Sequence, residues 1–238
     1  MSGSGGVGVK VLITGGSGQV AGQLLPGLVG RYDVRGCDLV DGDLSDAHTA
    51  AKLVDGADAV VHLAAVPEPD ASWADLIGPN IRAVTNVLAA AGRAKVVLAS
   101  SIHVMGLHRG RPVEPHWPPA PCCAYGATKA FAEAAARAHS HRHGNSVICL
   151  RLGATTPTPQ AGQSAGAWLA PADLQQLVVC ALETPVRFGI YHGVSANSAR
   201  EWSTTNDIGY RPVCDAATHP DPSSSAGVWE PCQPEREL

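Results

Sequence analysis

The sequence predicts an α/β protein built on a doubly wound parallel sheet. Short apolar runs alternate with helix-like segments along most of the chain, and a glycine turn joins the first run to the first helix. Strands that are apolar on both sides belong to a sheet covered by helices on both faces. We predict strands at residues 9–14, 32–37, 57–63, 95–100, 145–150 and 187–192, and helices at residues 20–28, 45–54, 72–91, 123–143 and 172–183.

The composition is typical of a soluble globular protein, with 45% hydrophobic and 16% charged residues in a chain of 238. A net charge of -4 gives no basic surface for nucleic acid, and no apolar run is long enough to span a membrane. We therefore predict a cytoplasmic protein with one domain at residues 9–214. The Gly/Ser-rich residues 1–8 are predicted to form a flexible tail, and residues 215–238 a loosely ordered one.

The 7 cysteines are scattered and form no CxxC pair, so we predict no disulfide in a reducing compartment. Cys122 and Cys123 are adjacent in sequence. Together with nearby His116 they leave a metal site open as an alternative. No spaced set of further ligands accompanies them, and we therefore predict no metal.

The glycine turn after the first strand organises the chain. Gly15 and Gly18 lie between this strand and the first helix, which carries the small residue Ala21. In a dinucleotide site one glycine makes the tight turn, another lets the backbone approach the pyrophosphate, and a small residue lets helix pack on strand. The N–H groups at the helix start then face the phosphates. An ordinary glycine-rich turn is the alternative interpretation.

An acidic residue strengthens the dinucleotide hypothesis. Asp38 ends the second strand about twenty residues after the glycines, where it would accept hydrogen bonds from an adenosine ribose. Its charge would repel a 2′-phosphate, so we predict NAD(H) in preference to NADP(H). The neighbouring Arg35 could still bind a 2′-phosphate, so binding of NADP(H) stays open as an alternative.

Three residues suggest the chemistry of hydride transfer. Ser101 follows the fourth strand, and Tyr125 and Lys129 lie one turn apart on one face of a helix. A tyrosine is a useful acid or base only if its pKa falls from about 10, and a nearby ammonium favours the phenolate. The serine hydroxyl would hold the substrate oxygen. We predict that these residues are catalytic, the alternative being a packed ring and a solvated lysine.

In combination these motifs resemble the extended short-chain dehydrogenase/reductases, a Rossmann-like family related to NAD-dependent epimerases and dehydratases. The resemblance rests on TGGSGQVA at residues 14–21, HLAA at 62–65, SSIHVMG at 100–106 and YGATK at 125–129. It implies a homodimer formed through the helix with Tyr125 and the helix with Asn80. The residues it implies for cofactor binding are Gly15, Ser17, Gly18, Gln19, Val20, Asp38, Asp43, Leu44, Leu63, Ala64, Ala65, Asn80, Tyr125 and Lys129.

Further segments resemble the uronate dehydrogenases, which oxidise hexuronic acids to lactones with NAD. These segments are RLGATTPTP at residues 151–159 and GVSANSAREW at residues 193–202. The resemblance implies a small, reduced C-terminal substrate cap, formed here around residues 152–170 and 193–214. The substrate-binding positions it implies are Pro67, Ser101, Ile102, His103, Tyr125, Ala154 and Gln163.

Four of these positions depart from the uronate dehydrogenase pattern. Ile102 replaces an asparagine, and Pro67 and Ala154 replace serines. Gln163 stands where the pattern has an arginine that binds the sugar carboxylate. Without this arginine the carboxylate loses a bidentate hydrogen-bonding partner. The apolar replacements would leave buried sugar hydroxyls unpaired.

We therefore predict an oxidoreductase for a small, uncharged sugar- or nucleoside-like molecule, acting as a ketoreductase in a specialised biosynthetic pathway. Aromatic side chains at His103, His116, Trp117 and Trp168 could line its pocket by stacking or hydrogen bonding. The alternative, which is the more common role of aromatic residues in loops, is packing.

Three alternatives stay open. The first is a uronate or aldose dehydrogenase whose carboxylate is held by Arg109 or Arg111. The second is a nucleotide-sugar epimerase or dehydratase, for which few residues remain after Arg151 to build a cap. The third is a non-catalytic dinucleotide-sensing protein, which would need no Tyr125 and Lys129.

Overall fold

A single parallel sheet forms the centre of the molecule. The computed structural model describes residues 8–108, 112–160, 164–219 and 232. Within these residues the sheet has six strands in the order β2-β1-β3-β4-β5-β6, and every neighbouring pair is parallel. The strands are β1 (Lys10–Thr14), β2 (Asp33–Cys37), β3 (Ala59–His62), β4 (Lys95–Ser101), β5 (Val147–Leu152) and β6 (Phe188–Gly193). The predicted fold class is confirmed.

Helices cover both faces of the sheet. They are α1 (Gln19–Leu28), α2 (Ala47–Val54), α3 (Trp73–Leu76), α4 (Ala83–Ala91), α5 (Ala124–His143) and α6 (Pro171–Glu183). Apolar side chains of α1 and α6 pack on one face, and those of α2, α4 and α5 pack on the other. Burial on both sides explains why the inner strands β1, β3, β4 and β5 are largely apolar. No helix among the described residues is both long enough and apolar enough to cross a bilayer.

The helix starts show how local sequence sets the boundaries. Ser72, the first residue of the predicted helix 72–91, caps α3 and accepts a hydrogen bond from the Asp75 backbone N–H at 3.3 Å. The helix predicted from residue 45 is capped one residue later, because the Asp46 carboxylate accepts from Thr49 N at 2.8 Å. Residues Ile77–Arg82 are π-helical and join α3 to α4, so the predicted helix at 72–91 is one continuous helical stretch.

The crossover after β2 is short, as the sequence indicated. Residues 38–58 contain α2 and no strand, so β2 is the sheet edge and β3 pairs directly with β1. From β1 the chain continues to β2 on one side of the sheet, and from β3 it continues through β4 and β5 to β6 on the other side. The strand order therefore reverses between β1 and β3. In such sheets a crevice opens between these two strands at their carboxyl ends, and ligands bind there.

Segments after β5 fold back over this crevice. Ala154 forms a β-bridge with Trp168, and Val113 forms one with Trp202. The carbonyl of Thr155 accepts hydrogen bonds at 3.1 Å from the side chains of Gln19 and Gln23 on α1. The loop after β5 is therefore held over the start of α1.

Candidate active site

A cleft of about 1070 Å³ opens at the carboxyl ends of β1, β3, β4 and β5. Its volume lies at the upper end of the range for small-molecule and cofactor sites. The glycine turn lines one end, and Ser101 and Tyr125 line the other. The cleft thus joins the two sets of residues that the sequence singled out for cofactor binding and for catalysis.

The glycine turn has the shape that a pyrophosphate needs. Gly15 adopts φ +70°, and a Cβ there would lie 3.0 Å from the backbone nitrogen of Ala64. Gly18 precedes α1, whose first turn has no side-chain cap. A side chain at Gly15 would be strained and would close the crevice, whereas the N–H groups at the start of α1 suit an anion. The turn therefore fits a bound dinucleotide.

The acidic residue after β2 lies beside this turn. Asp38 lines the cleft, and its carboxylate accepts a hydrogen bond from Ser17 N at 3.0 Å. Arg35, in contrast, donates through Nη2 to the carbonyls of Leu53 and of Asp55, the latter at 3.0 Å. Its guanidinium is held at the end of α2, so the charge nearest the ribose position is the negative one of Asp38.

The predicted catalytic trio lies together in the floor of the cleft. Ser101 ends β4, and its hydroxyl lies close enough to Tyr125 to favour a lower pKa of that phenol. Lys129 lies one turn further along α5, with Nζ 5.6 Å from the Tyr125 ring centroid. It donates a hydrogen bond to the carbonyl of Ala99 at 2.9 Å. All three side chains line the cleft, although each is at least 91% buried.

The pKa values differ from the sequence expectation. Burial raises the pKa of Tyr125 to about 12, an effect that the hydrogen bond with Ser101 opposes. Burial also lowers the pKa of Lys129 to about 8. Removing a charge from water disfavours phenolate and ammonium alike. With its pKa raised to about 12, Tyr125 is a neutral phenol at pH 7.

Most of the residues that the resemblance implied for cofactor binding line the cleft. These are Gly15, Ser17, Gly18, Gln19, Val20, Asp38, Leu63, Ala64, Ala65, Tyr125 and Lys129. Asp43 and Leu44 do not line it: the Asp43 carboxylate accepts from Ser45 N at 2.8 Å, and Leu44 is buried in the core.

Asn80 also lies behind the cleft rather than in it. Its amide donates to the carbonyl of Val66 at 2.9 Å and accepts from Val66 N at 2.8 Å. It also donates to Thr128 at 3.2 Å. Asn80 is fully buried, and it ties the loop after β3 to α5.

The substrate end of the cleft is lined by Pro67, Ile102, His103 and Ala154. Gln163 lies outside the residues that the structure describes, as do Arg109 and Arg111.

Three of the four aromatic side chains that could have lined the pocket do not line the cleft. His116 and Trp117 line a separate cavity of about 710 Å³ beside α5, because the bridge of Val113 to Trp202 leads this loop away from the cleft. Trp168 is 96% buried, and its ring N–H donates to the carbonyl of Thr156 at 3.1 Å. His103 alone of the four lies on the described cleft.

A buried ionic network beneath β4 was missed by sequence reasoning. Glu133 on α5 receives two hydrogen bonds from Arg151 on β5, both 2.8 Å long. It also accepts from the hydroxyl of Ser100 at 2.6 Å. A glutamate and an arginine 18 positions apart carry no local signal of pairing. The network fixes β4, β5 and α5 around the catalytic trio.

A glycine turn at the β1–β3 crevice, facing Ser101, Tyr125 and Lys129, defines an α/β protein of the dinucleotide-binding oxidoreductase class. The model of the NAD dependent epimerase/dehydratase family matches residues 11–188. The chain belongs to this family, and the predicted resemblance is confirmed.

Similar proteins include several sugar dehydrogenases. The uronate dehydrogenase of Pseudomonas syringae pv. tomato is 31% identical over 185 residues, which are 76% of this chain and 65% of that protein. The chain thus matches slightly less than two thirds of that relative. L-arabinose 1-dehydrogenase (NAD(P)(+)) of Haloferax volcanii is 31% identical over 252 residues, covering 88% of this chain and 98% of that protein.

Solved structures show the same fold. A uronate dehydrogenase mutant from Agrobacterium tumefaciens, complexed with NAD, superposes with a TM-score of 0.82 at 26% identity, covering 87% of this chain and 85% of that chain. A glucuronic acid dehydrogenase from Chromohalobacter salexigens gives a TM-score of 0.77 at 26% identity over 87% of this chain and 85% of that chain.

Proposed function

We propose that this chain is an NAD-dependent dehydrogenase that oxidises a hydroxyl carbon of a small, uncharged sugar-like molecule. The observation that carries the proposal is the position of Ser101, Tyr125 and Lys129 at one end of a cleft whose other end is the glycine turn. A cofactor held at that turn would reach the trio through one continuous space. Family membership and the similar sugar dehydrogenases support the same reaction class.

Ser101, Tyr125 and Lys129 have separate roles in proton transfer. Bound NAD supplies the nicotinamide carbon that takes up or returns a hydride. Ser101 donates a hydrogen bond to the reacting oxygen of the substrate, and Tyr125 removes its proton during oxidation or supplies one during reduction. Lys129 sits below the tyrosine ring with its Nζ 5.6 Å from the ring centroid. Its positive charge would favour the phenolate, which must be present before oxidation and which forms when Tyr125 gives up its proton in reduction.

The substrate end of the cleft favours an uncharged molecule. Pro67, Ile102 and Ala154 present apolar surface there. Among the described residues that line the cleft, Lys129 is the one lysine or arginine, and its ammonium is bound to the Ala99 carbonyl. A carboxylate would find no guanidinium in this part of the chain. The similarity to an L-arabinose dehydrogenase, whose named substrate is a neutral sugar, supports this specificity.

Reduction of a ketone is the second candidate, and one observation favours it. Burial keeps Tyr125 protonated at neutral pH, with its pKa raised to about 12. A neutral phenol is the form that donates a proton to a carbonyl oxygen. The ketoreductase predicted from the sequence would use this form directly.

Initial rates with matched sugars test the proposal. Glucose and glucuronate differ only at C6, as do galactose and galacturonate, and each is offered with NAD. We expect kcat/KM to favour the neutral member of each pair by about tenfold or more, a difference of about 1.4 kcal/mol. A preference for the uronates would overturn the proposed specificity and point to Arg109 or Arg111. If the protein reduces keto sugars with NADH but oxidises no aldose with NAD, the second candidate, a ketoreductase, is favoured.

A further inference from the structure

A cluster of three thiols and one imidazole lies beside the substrate end of the cleft. Its members are His103, Cys122, Cys123 and Cys232, and their ligand atoms all lie within 4.8 Å of one another. We call it the thiol–imidazole cluster. Cys122 and Cys232 are 110 positions apart, so folding rather than sequence spacing brings the set together.

We propose that the thiol–imidazole cluster is a zinc site of the Cys₃His type, and that the metal joins Cys232 to the wall of the cleft. This proposal is independent of the substrate proposed above. It rests on the distances within the cluster, on the local fold that holds each ligand, and on the chemistry of the ligand set.

Four of the six distances between ligand atoms match the edges of a zinc tetrahedron, and the other two, from the sulfur of Cys123 to those of Cys122 and Cys232, are at most 4.8 Å. With Zn–S near 2.3 Å and Zn–N near 2.0–2.1 Å, tetrahedral geometry gives edges of about 3.6 Å from sulfur to nitrogen and about 3.8 Å from sulfur to sulfur. His103 Nδ1 lies 3.7, 3.6 and 3.4 Å from the sulfurs of Cys122, Cys123 and Cys232. The sulfurs of Cys122 and Cys232 are 3.5 Å apart. An ion at the centre therefore needs little movement of its ligands.

The local fold positions the ligands closely. His103 lies in the single 3-10 turn that follows β4, and Cys123 is the N-cap of α5, where its sulfur accepts from Gly126 N at 3.4 Å. A Cβ at Gly106 would lie 2.3 Å from the sulfur of Cys122, so glycine there leaves room for that ligand.

The ligand set selects the metal. Thiolates and imidazole suit zinc, whereas magnesium and calcium prefer oxygen ligands. Four protein ligands also complete a tetrahedron and leave no open position for water or substrate, which is typical of a structural rather than a catalytic zinc. The site would thus contribute to folding and would not replace the chemistry of Tyr125.

The cluster touches the active site through its histidine. The rings of His103 and Tyr125 meet edge to face, with centroids 5.6 Å apart and planes at 76°. His103 also lines the substrate end of the cleft. Coordination through Nδ1 fixes the tautomer and the plane of the imidazole, and zinc would thereby hold this wall of the cleft against the tyrosine.

Metal analysis of the purified full-length chain tests the proposal. The wild-type protein is expressed in zinc-containing medium, treated with a weak chelator to remove loosely bound ions, and analysed by plasma mass spectrometry. We expect about one zinc per chain, as for a closed four-ligand site. Cys123→Ser and Cys232→Ser should each lose most of this zinc. The matched control is Cys180→Ser, because this partly buried cysteine on α6 lies outside the cluster.

Two further measurements use only the wild-type protein, so they do not depend on whether the variants fold. Wild-type protein refolded with Co²⁺ should show the visible d–d bands of tetrahedral cobalt and thiolate charge-transfer bands. Thiol titration of the denatured protein should find all 7 cysteines reduced. Folded wild-type protein without zinc or cobalt binding would overturn the proposal, and so would two missing thiols, since these would indicate a Cys122–Cys232 disulfide. Equal zinc loss in Cys180→Ser would also contradict it.

Discussion

Arg151 and Glu133 form a bidentate ion pair with both nitrogen–oxygen distances at 2.8 Å, and both side chains are at least 97% buried. Removing one partner leaves a buried charge uncompensated, which costs about 3–5 kcal/mol. We expect Arg151→Met to lower the free energy of unfolding by this amount in urea denaturation. The exposed Arg142→Met on the same side of the sheet should change it by less than about 0.5 kcal/mol.

A double variant tests whether the stability lost in Arg151→Met comes from the unpaired charge of Glu133 or from lost packing. Glu133→Leu combined with Arg151→Met removes both charges, and we expect it to recover much of the stability lost in Arg151→Met alone. This role of the ion pair would be contradicted if Arg151→Met were as stable as the wild type. It would also be contradicted if the double variant were less stable than the wild type by the full sum of the effects of Glu133→Leu and Arg151→Met.

Tyr125 is expected to be required for turnover and dispensable for cofactor binding. Tyr125→Phe removes the proton-transferring hydroxyl, and we expect kcat to fall by about 100- to 10,000-fold. Its affinity for NADH, measured by fluorescence titration, should change little, because the glycine turn lies at the other end of the cleft. Tyr32→Phe is the control, since its hydroxyl bonds Glu183 at 3.0 Å outside the cleft. Retained turnover in Tyr125→Phe would contradict the proposed role.

Lys129 should make stability depend on pH in a defined window. Burial lowers its pKa from 10.5 to about 8, so the cost of the buried ammonium is present in full below about pH 8. Between these two pKa values the unfolded chain binds more protons than the folded chain, and stability therefore rises with pH. The difference corresponds to about 3 kcal/mol.

Lys129→Met removes this effect. The free energy of unfolding of the variant relative to the wild type should therefore fall as the pH is raised from 7 to about 10, as measured by urea denaturation at both values. Lys52→Met, at an exposed position of α2, should show a pH-independent difference. A difference for Lys129→Met that does not change with pH would show that the lysine titrates normally.

Asp38 is expected to set the preference for NAD over NADP. Asp38→Asn removes the negative charge, while its amide oxygen can still accept the hydrogen bond from Ser17 N. Affinity for NADPH should rise about tenfold relative to that for NADH, a change of about 1.4 kcal/mol. Binding titrations with both nucleotides measure this ratio without a substrate. Asp33→Asn, at the exposed start of β2, should leave the ratio unchanged, and an equal shift in both variants would refute the assignment.

Much of the sheet could be predicted because its signals are local. Each buried strand is an apolar run, and the glycines after β1 have a steric need that few other turns share. Ser101, Tyr125 and Lys129 were also accessible to sequence reasoning, since parallel strands bring their carboxyl ends to one edge. The short crossover after β2 could be anticipated from the few residues between Asp38 and the next apolar run.

Long-range contacts between side chains carried no such signal. The predicted metal alternative paired Cys122 and Cys123 with His116, whereas the structure brings His103 and Cys232 to them. Sequence proximity favoured the wrong histidine, because the loop after β4 turns away before His116. The pKa of Tyr125 was likewise misjudged, since the cost of burial depends on neighbours that the helix pattern does not reveal.

Transfer of deuterium from substrate to cofactor tests the central claim most directly. Purified chain is incubated with NAD and C1-deuterated aldoses, including arabinose, glucose and galactose, and the NADH formed is analysed by mass spectrometry. We predict deuterated NADH from at least one neutral aldose with the wild type, formed at least about 100-fold more slowly with Tyr125→Phe. Tight NADH binding together with no label transfer from any aldose would contradict the proposal that this chain is a sugar dehydrogenase.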